Sequence, residues 1–193
     1  MRWPRKCSPQ VLEVRRRALG EEHPYTLNTV FELARAYERQ GRFPDAEQLH
    51  ARVAEIRRRV LGAQNPFTVD ALRALGRTRL EQRRYTDAEA ALRESLQGAE
   101  KSAPDTWQRF EAQSALGASL SGQRRYEEAE PLLLAGYQGM LQRKSTIPAE
   151  DQSALDQGRT RLAELYEDWG KPDQAAKWRQ VANQSTAANM PHQ

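Results

Sequence analysis

Residues 19–61, LGEEHPYTLNTVFELARAYERQGRFPDAEQLHARVAEIRRRVL, decide the fold. Two helical patterns flank a turn at Gly41-Arg42-Phe43. Val30, Leu33, Ala34 and Tyr37 recur at helical spacing before it, and Ala46, Leu49, Val53 and Ile56 after it. The pattern then returns at residues 61–96, LGAQNPFTVDALRALGRTRLEQRRYTDAEAALRESL. Leu19-Gly20 becomes Leu61-Gly62, and Pro24-x-Thr26 becomes Pro66-x-Thr68. Leu33-Ala34 becomes Leu75-Gly76, and Asp45-Ala46-Glu47 becomes Asp87-Ala88-Glu89, each 42 residues on. One hairpin cannot bury its own apolar face, so a fixed period of this size, with one helical hairpin per unit, marks an α-solenoid built by stacking.

Outward from this pair the copies loosen. Leu116-Gly117 and Tyr126 to Glu130 follow their counterparts by 41 residues, and Leu162-Ala163 comes 46 residues later still, past an insertion around Lys144 to Asp151. Thr86 is expected to cap the helix after Tyr85, and Pro148 to start a long helix reaching Trp169. Toward the amino terminus, Val11, Val14 and Leu19 stand 42 residues before Val53, Ile56 and Leu61. Residues 1–18 therefore read as a partial repeat that keeps only its second helix. The expected plan continues with a solenoid over 19–183, in units of about 19–60, 61–101, 102–144 and 145–183, and a flexible tail over 184–193. A start in mid-repeat reads as a truncated frame or as an open end that a partner covers, with self-association through that end one expectation.

Composition excludes several classes. The 30 Lys and Arg are interspersed with 26 Asp and Glu, giving a net charge of +4 without basic blocks. No apolar run reaches membrane length. Cys7 is the only cysteine, so no internal disulfide forms, and no apolar core follows Met1 to Lys6 as a signal peptide requires. A cytoplasmic location is expected. No metal-binding spacing occurs, and no cofactor is expected. Of the three histidines, His23, His50 and His192, the first sits in an HP turn where the next repeat has Asn65. That swap points to a turn residue, and the chain reads as non-enzymatic. Asp45, Glu47 and Glu127-Glu128 open second helices, where carboxylates suit the positive dipole end. Arg15 to Arg17 and Arg57 to Arg59 fall near helix ends, where cations suit the negative end. A nucleic-acid reading would need them on one face with interleaved aromatics and is the least favoured.

The helix crossings carry small residues: Ala34 with Ala46, Gly76 with Ala88, Gly117 with Ala129, and Ala163 with Ala175. Tyr37, Phe43, Tyr85, Tyr126 and Tyr166 stand beside them. This pattern resembles the tetratricopeptide repeat, and the 42-residue spacing with its LG-x-x-HP-x-T element resembles the kinesin-light-chain subtype. The resemblance implies an all-α, right-handed superhelical solenoid of antiparallel hairpins that serves as a protein–protein interaction scaffold. The leading helices would line a concave groove at Phe31, Arg35 and Arg39, then Arg73, Arg77 and Glu81, then Ser114, Ala118 and Gly122, then Thr160, Glu164 and Asp168. Its basic end would take an acidic peptide, because guanidinium groups hold carboxylates bidentately. Where related grooves place asparagines, this sequence has Glu32, Ala74, Ala115 and Arg161. The carboxy-terminal part, from EEAEPLLLAGYQGM to LYEDWGKPDQAAKWR, is similar to the repeat region of some bacterial serine/threonine protein kinases. No G-x-G-x-x-G loop, HRD or DFG is present. The alternative that this implies is a regulatory or assembly segment of a larger bacterial signalling protein.

Overall fold

The structure is a computed structural model that describes residues 9–187. Cys7, His192 and the outer parts of the expected partial repeat and tail lie outside the described residues. Nine α-helices follow one another, with no strand among the described residues: α1 (Pro9–Leu19), α2 (Pro24–Glu38), α3 (Phe43–Leu61), α4 (Pro66–Glu81), α5 (Tyr85–Ser102), α6 (Trp107–Gly122), α7 (Tyr126–Gln142), α8 (Ser153–Asp168) and α9 (Pro172–Ala187). They form two compact units, divided between Ser102 and Ala103.

Local chemistry sets the helix starts. Proline opens α2 and α4, where its missing N–H costs nothing. Just before it, His23 Nδ1 accepts the Tyr25 amide at 3.2 Å and Asn65 Oδ1 accepts the Phe67 amide at 3.0 Å. His23 is therefore the turn residue expected of it. Thr106, before α6, instead donates its hydroxyl to the Ala103 carbonyl at 3.0 Å.

Each hairpin closes over one residue in the left-handed region: Gly41, Arg83, Arg124 or Gly170, with φ of 72°, 57°, 62° and 74°. The next amide returns to the preceding helix, from Arg42 to Tyr37 O, Arg84 to Arg79 O, Arg125 to Leu120 O, and Lys171 to Tyr166 O. In the first three hairpins that same arginine pairs three residues on, with Asp45, Asp87 and Glu128 at 2.8, 2.9 and 2.8 Å. These carboxylates thus have named partners, where the sequence offered only a helix dipole. Because the turn is finished by this pair, α5 starts at Tyr85 and Thr86 lies inside its first turn instead of capping it.

Ala34, Ala46, Ala88 and Ala129 are wholly buried at the crossings. A Cβ on Gly76 would stand 2.5 Å from Leu92 Cγ, and one on Gly117 2.7 Å from Leu133 Cγ, so the helices touch only because these side chains are absent. In the second unit a Cβ on Gly136 would lie 2.6 Å from the Ser114 amide nitrogen, a contact with backbone that cannot yield.

The first unit packs Leu12, Leu27, Val30, Leu33, Val53, Ile56, Leu72 and Leu75 into one apolar cluster. The second packs Trp107, Leu120, Leu133, Tyr137, Met140, Leu155, Leu162 and Leu165. Ile147 joins this second cluster from the insertion. The long helix expected from Pro148 is corrected here: Pro148 is extended (ψ 151°), and its carbonyl closes a 3-10 turn with the Asp151 amide at 2.9 Å. α8 starts only at Ser153.

Candidate functional site

In the first unit α2 and α4 present neighbouring faces, and α3 sends Arg57 between them. Arg57 is 3% exposed. It donates Nη2 to Asn28 Oδ1 at 2.6 Å and Nη1 to the Phe67 carbonyl at 2.9 Å. Its guanidinium carbon lies 5.2 Å from the Phe31 ring centre and 5.5 Å from that of Phe67. Arg15 occupies the same register one repeat earlier and donates to the Tyr25 carbonyl at 3.1 Å and to Thr29 Oγ1 at 2.6 Å. Arg57 is thus a buried tie, Arg58 pairs with Glu94 at 2.9 Å and Arg59 with Glu22 at 2.5 Å. The three do not make the shared solvent face that nucleic-acid binding needs.

The expected groove residues of this unit stand in unequal places. Phe31 is buried edge-on against His50, ring centres 5.1 Å apart. Arg35 is half-exposed, 3.8 Å from Glu32. Arg39 caps α2 and is exposed, as is Glu81 at the end of α4. Arg77 is partly exposed. Arg73 is not an open guanidinium: it is buried and donates to Asp70. Burial pushes the Asp70 carboxyl up, but Arg73 beside it, with Arg57 and Arg35 further out, outweighs this and holds its pKa below the ordinary value. Sequence reasoning missed Asp70 and Asn28. The three-residue step from Asp70 to Arg73 and the 42-residue step from Asn28 to Asp70 were the available signals.

Behind Phe31 lies a second polar group. His50 is fully buried, its Nε2 3.6 Å from Glu38 Oε1, and Thr78 Oγ1 approaches the same carboxylate oxygen at 2.5 Å. Burial works to raise the Glu38 pKa, yet His50, Thr78 and Arg77 overcome it and hold it at about 2. Glu47 joins successive hairpins. It accepts from Arg79 and Gln82 at 2.9 Å each and from Arg84 at 2.7 and 2.6 Å. These donors hold its pKa below the ordinary value against the upward push of burial.

Of the expected positions in the second unit, Ser114 and Glu164 stand in opposite settings. Ser114 is fully buried, packed at the α6–α7 crossing, with its hydroxyl 3.3 Å from Arg161 Nη1. It offers nothing to a solvent-borne partner. Arg161 also faces the buried Glu111 at 3.8 Å. Glu164 is exposed on α8 and lines a cavity of about 250 Å³ with Thr160, Glu167, Trp178 and Arg179. Tyr166 donates to Glu130 at 2.6 Å, and burial followed by this carboxylate pushes its pKa up to about 12. No cluster of three potential metal ligands occurs among the described residues, and no described helix is long and apolar enough to cross a membrane.

Comparison with known proteins bears on this arrangement. The tetratricopeptide repeat pattern matches residues 5–58 and 30–101, which together span half of the chain. Among solved structures, a single-substitution variant of a Podosopora anserina protein named for kinesin light chain, with nearly identical TPR-like repeats, is similar with a TM-score of 0.70. It is 22% identical, over 93% of this chain and 83% of that one. The unsubstituted protein gives a TM-score of 0.68 at 22% identity, over 95% and 85%. BtubC (BKLC) from P. vanneervenii gives 0.71 at 16% identity, over 95% of this chain and 72% of that one. A search of curated protein sequences found no match. The repeated hairpins, their small-residue crossings and the matched pattern agree: this chain belongs to the tetratricopeptide repeat family.

Proposed function

We propose that the chain is a non-enzymatic, cytoplasmic scaffold whose first unit binds an acidic segment of a protein partner on the α2–α4 face. Arg35, Arg39 and Arg77 would meet the partner's carboxylates, with Phe31, Arg73 and Glu81 framing them. Glu164, in the second unit, would serve a separate contact. The observation that carries this reading is that Arg35 and Arg77 stand partly exposed on α2 and α4, and Arg39 exposed at the α2 cap, while Arg73 meets Asp70. Guanidinium groups that reach solvent on neighbouring helices draw in an anionic segment. The surrounding sequence has the same sign. Of the chain's 30 Lys and Arg, 20 lie at or before Ser102, against 14 of its 26 Asp and Glu.

The test is a fluorescence-anisotropy titration of labelled decaglutamate against the wild type and the Arg35→Glu/Arg77→Glu double variant, with helix content checked by circular dichroism. Arg73 is left in place, since a glutamate there would bury a second carboxylate beside Asp70. The double variant is expected to lose about tenfold or more in affinity, and added salt to weaken wild-type binding. Equal affinity of the two folded proteins would remove the reading.

A further inference from the structure

We infer that the chain associates head to tail with a second copy of itself, the exposed side of α1 in one copy docking on the open α8–α9 face of another. This goes beyond the acidic-partner reading, which concerns α2 and α4, and assigns the separate contact of Glu164. Both faces expose positions that other repeats bury. Val14 stands 42 residues before Ile56. Ile56 is buried in the first unit's core, whereas Val14 is 65% exposed. Arg17 and Ala18, three and four residues on, share its side of the helix and are exposed too.

On the α8–α9 pair, Thr160 stands in the register of Ser114 and Phe31, and Arg179 in that of Leu133 and His50. Those four counterparts are buried, while Thr160 and Arg179 are exposed. At the earlier copies of this face the next leading helix supplies the polar partners. α4 brings Thr78 onto Glu38 at 2.5 Å. α8 brings Arg161 to Ser114 at 3.3 Å and Tyr166 to Glu130 at 2.6 Å. On α8–α9 the same register positions line the cavity of about 250 Å³, with Ala163 and Trp178 as its apolar part and Glu164 and Glu167 as its carboxylates. The face therefore has the form that receives a helix elsewhere in this chain.

Charge selects the occupant. The α1 sequence has three arginines to one glutamate, and the α8 sequence four carboxylates to two arginines. Of those two, Arg159 is buried and donates to Asp156, and Arg161 turns to Ser114 and Glu111. Glu164, Glu167 and Asp168 are exposed. A second copy of α1 thus lays Val14 toward Trp178 and brings Arg17 to these carboxylates. Arg17 already pairs with Glu13 at 2.8 Å, and Glu167 with Arg179. Both pairs lie in solvent, where an ion pair is weak and exchanges partners at little cost. The two faces differ, so the contact is heterologous. One helix in one groove is a small interface, so the association is weak.

Sedimentation equilibrium from about 10 μM to 1 mM tests this. The weight-average mass of the wild type is expected to rise above that of the monomer with concentration, and to fall back in about 0.5 M NaCl. Val14→Asp, which spoils the helix, and Glu164→Arg/Glu167→Arg, which spoils the groove, are each expected to stay monomeric with unchanged helix content. Mixed in equal amounts they are expected to associate again, because one keeps an intact groove and the other an intact α1. If either variant loses helix content, Ala18→Glu or Thr160→Arg replaces it. Arg35→Glu/Arg77→Glu is expected to associate as the wild type does, so loss of the acidic-partner reading leaves this one standing. A wild type that stays monomeric to 1 mM overturns the inference, as does association unmoved by salt. Self-association of the groove variant overturns it in favour of α1 pairing with α1. A mixture that stays monomeric overturns it as well.

Discussion

At the residue scale, His50 stands where the next two repeats place leucine. One and two periods on, the equivalent side chains are Leu92 and Leu133, each wholly buried against a glycine of the leading helix. Glu38 likewise corresponds to Leu80. An apolar pair has become a buried polar one, and Thr78 completes it by binding the carboxylate. Burying a carboxylate is costly unless it is paired, so this site makes stability depend on protons. The folded-state pKa of Glu38 is depressed from 4.5 to about 2. The stabilisation is therefore fully present above the unfolded-state value and is lost as pH falls from about 4.5 toward 2. A shift of that size corresponds to about 3 kcal/mol, as an order of magnitude. Urea titrations at pH 5 and pH 2.5 are expected to show Glu38→Gln losing less stability between the two than the wild type does. Parallel losses would mean that another carboxylate governs the acid limb.

At the element scale, the hairpin turns show how one backbone demand is met by two residue types. Gly41 and Gly170 take the left-handed conformation freely, while Arg83 and Arg124 take it with a Cβ in place. An L-residue pays roughly 1–2 kcal/mol there, partly returned because glycine has more unfolded-state freedom to lose. Arg83→Gly is expected to raise stability by about 0.5–1 kcal/mol, read as a higher urea midpoint with unchanged slope. A lower midpoint would show that the Arg83 side chain contributes more than the turn strain costs. The hairpins themselves were legible in the sequence, because Leu33-Ala34, Leu75-Gly76 and their partners repeat with every other marker in step. The start of α8 was not. Pro148 is compatible with a helix start and with a 3-10 turn, and the choice follows from burying Ile147 in the second unit's core. The repeat register of Arg73 and Ser114 was legible too, but not their exposure. Both stand at the register expected to face a groove, yet Asp70 draws one in and the glycine-permitted α6–α7 crossing covers the other. Such neighbours come from tertiary packing and leave no mark at the residue itself.

At the scale of the whole molecule, the repeats share a fold but not a charge. The sequence through Ser102 has 20 basic against 14 acidic residues, whereas the rest has 10 against 12. The bond from a second-helix glutamate to the next leading helix is likewise spelled differently in each unit, as Glu47 to Arg79 in one and Glu130 to Tyr166 in the other. In a repeat protein, nearest-neighbour coupling makes separate hairpins unfold as one body. Where the coupling is ionic, as around Glu47, cooperativity itself becomes a function of ionic strength. Amide hydrogen exchange in α2–α3 and in α4–α5 is expected to follow one shared opening event at low salt and to separate into two in 1 M NaCl. A common rate at both salt levels would locate the coupling in the apolar contacts instead. If the rates do separate, the Glu47 cluster works as a clutch between two hairpins, engaged in dilute buffer and slipping in brine.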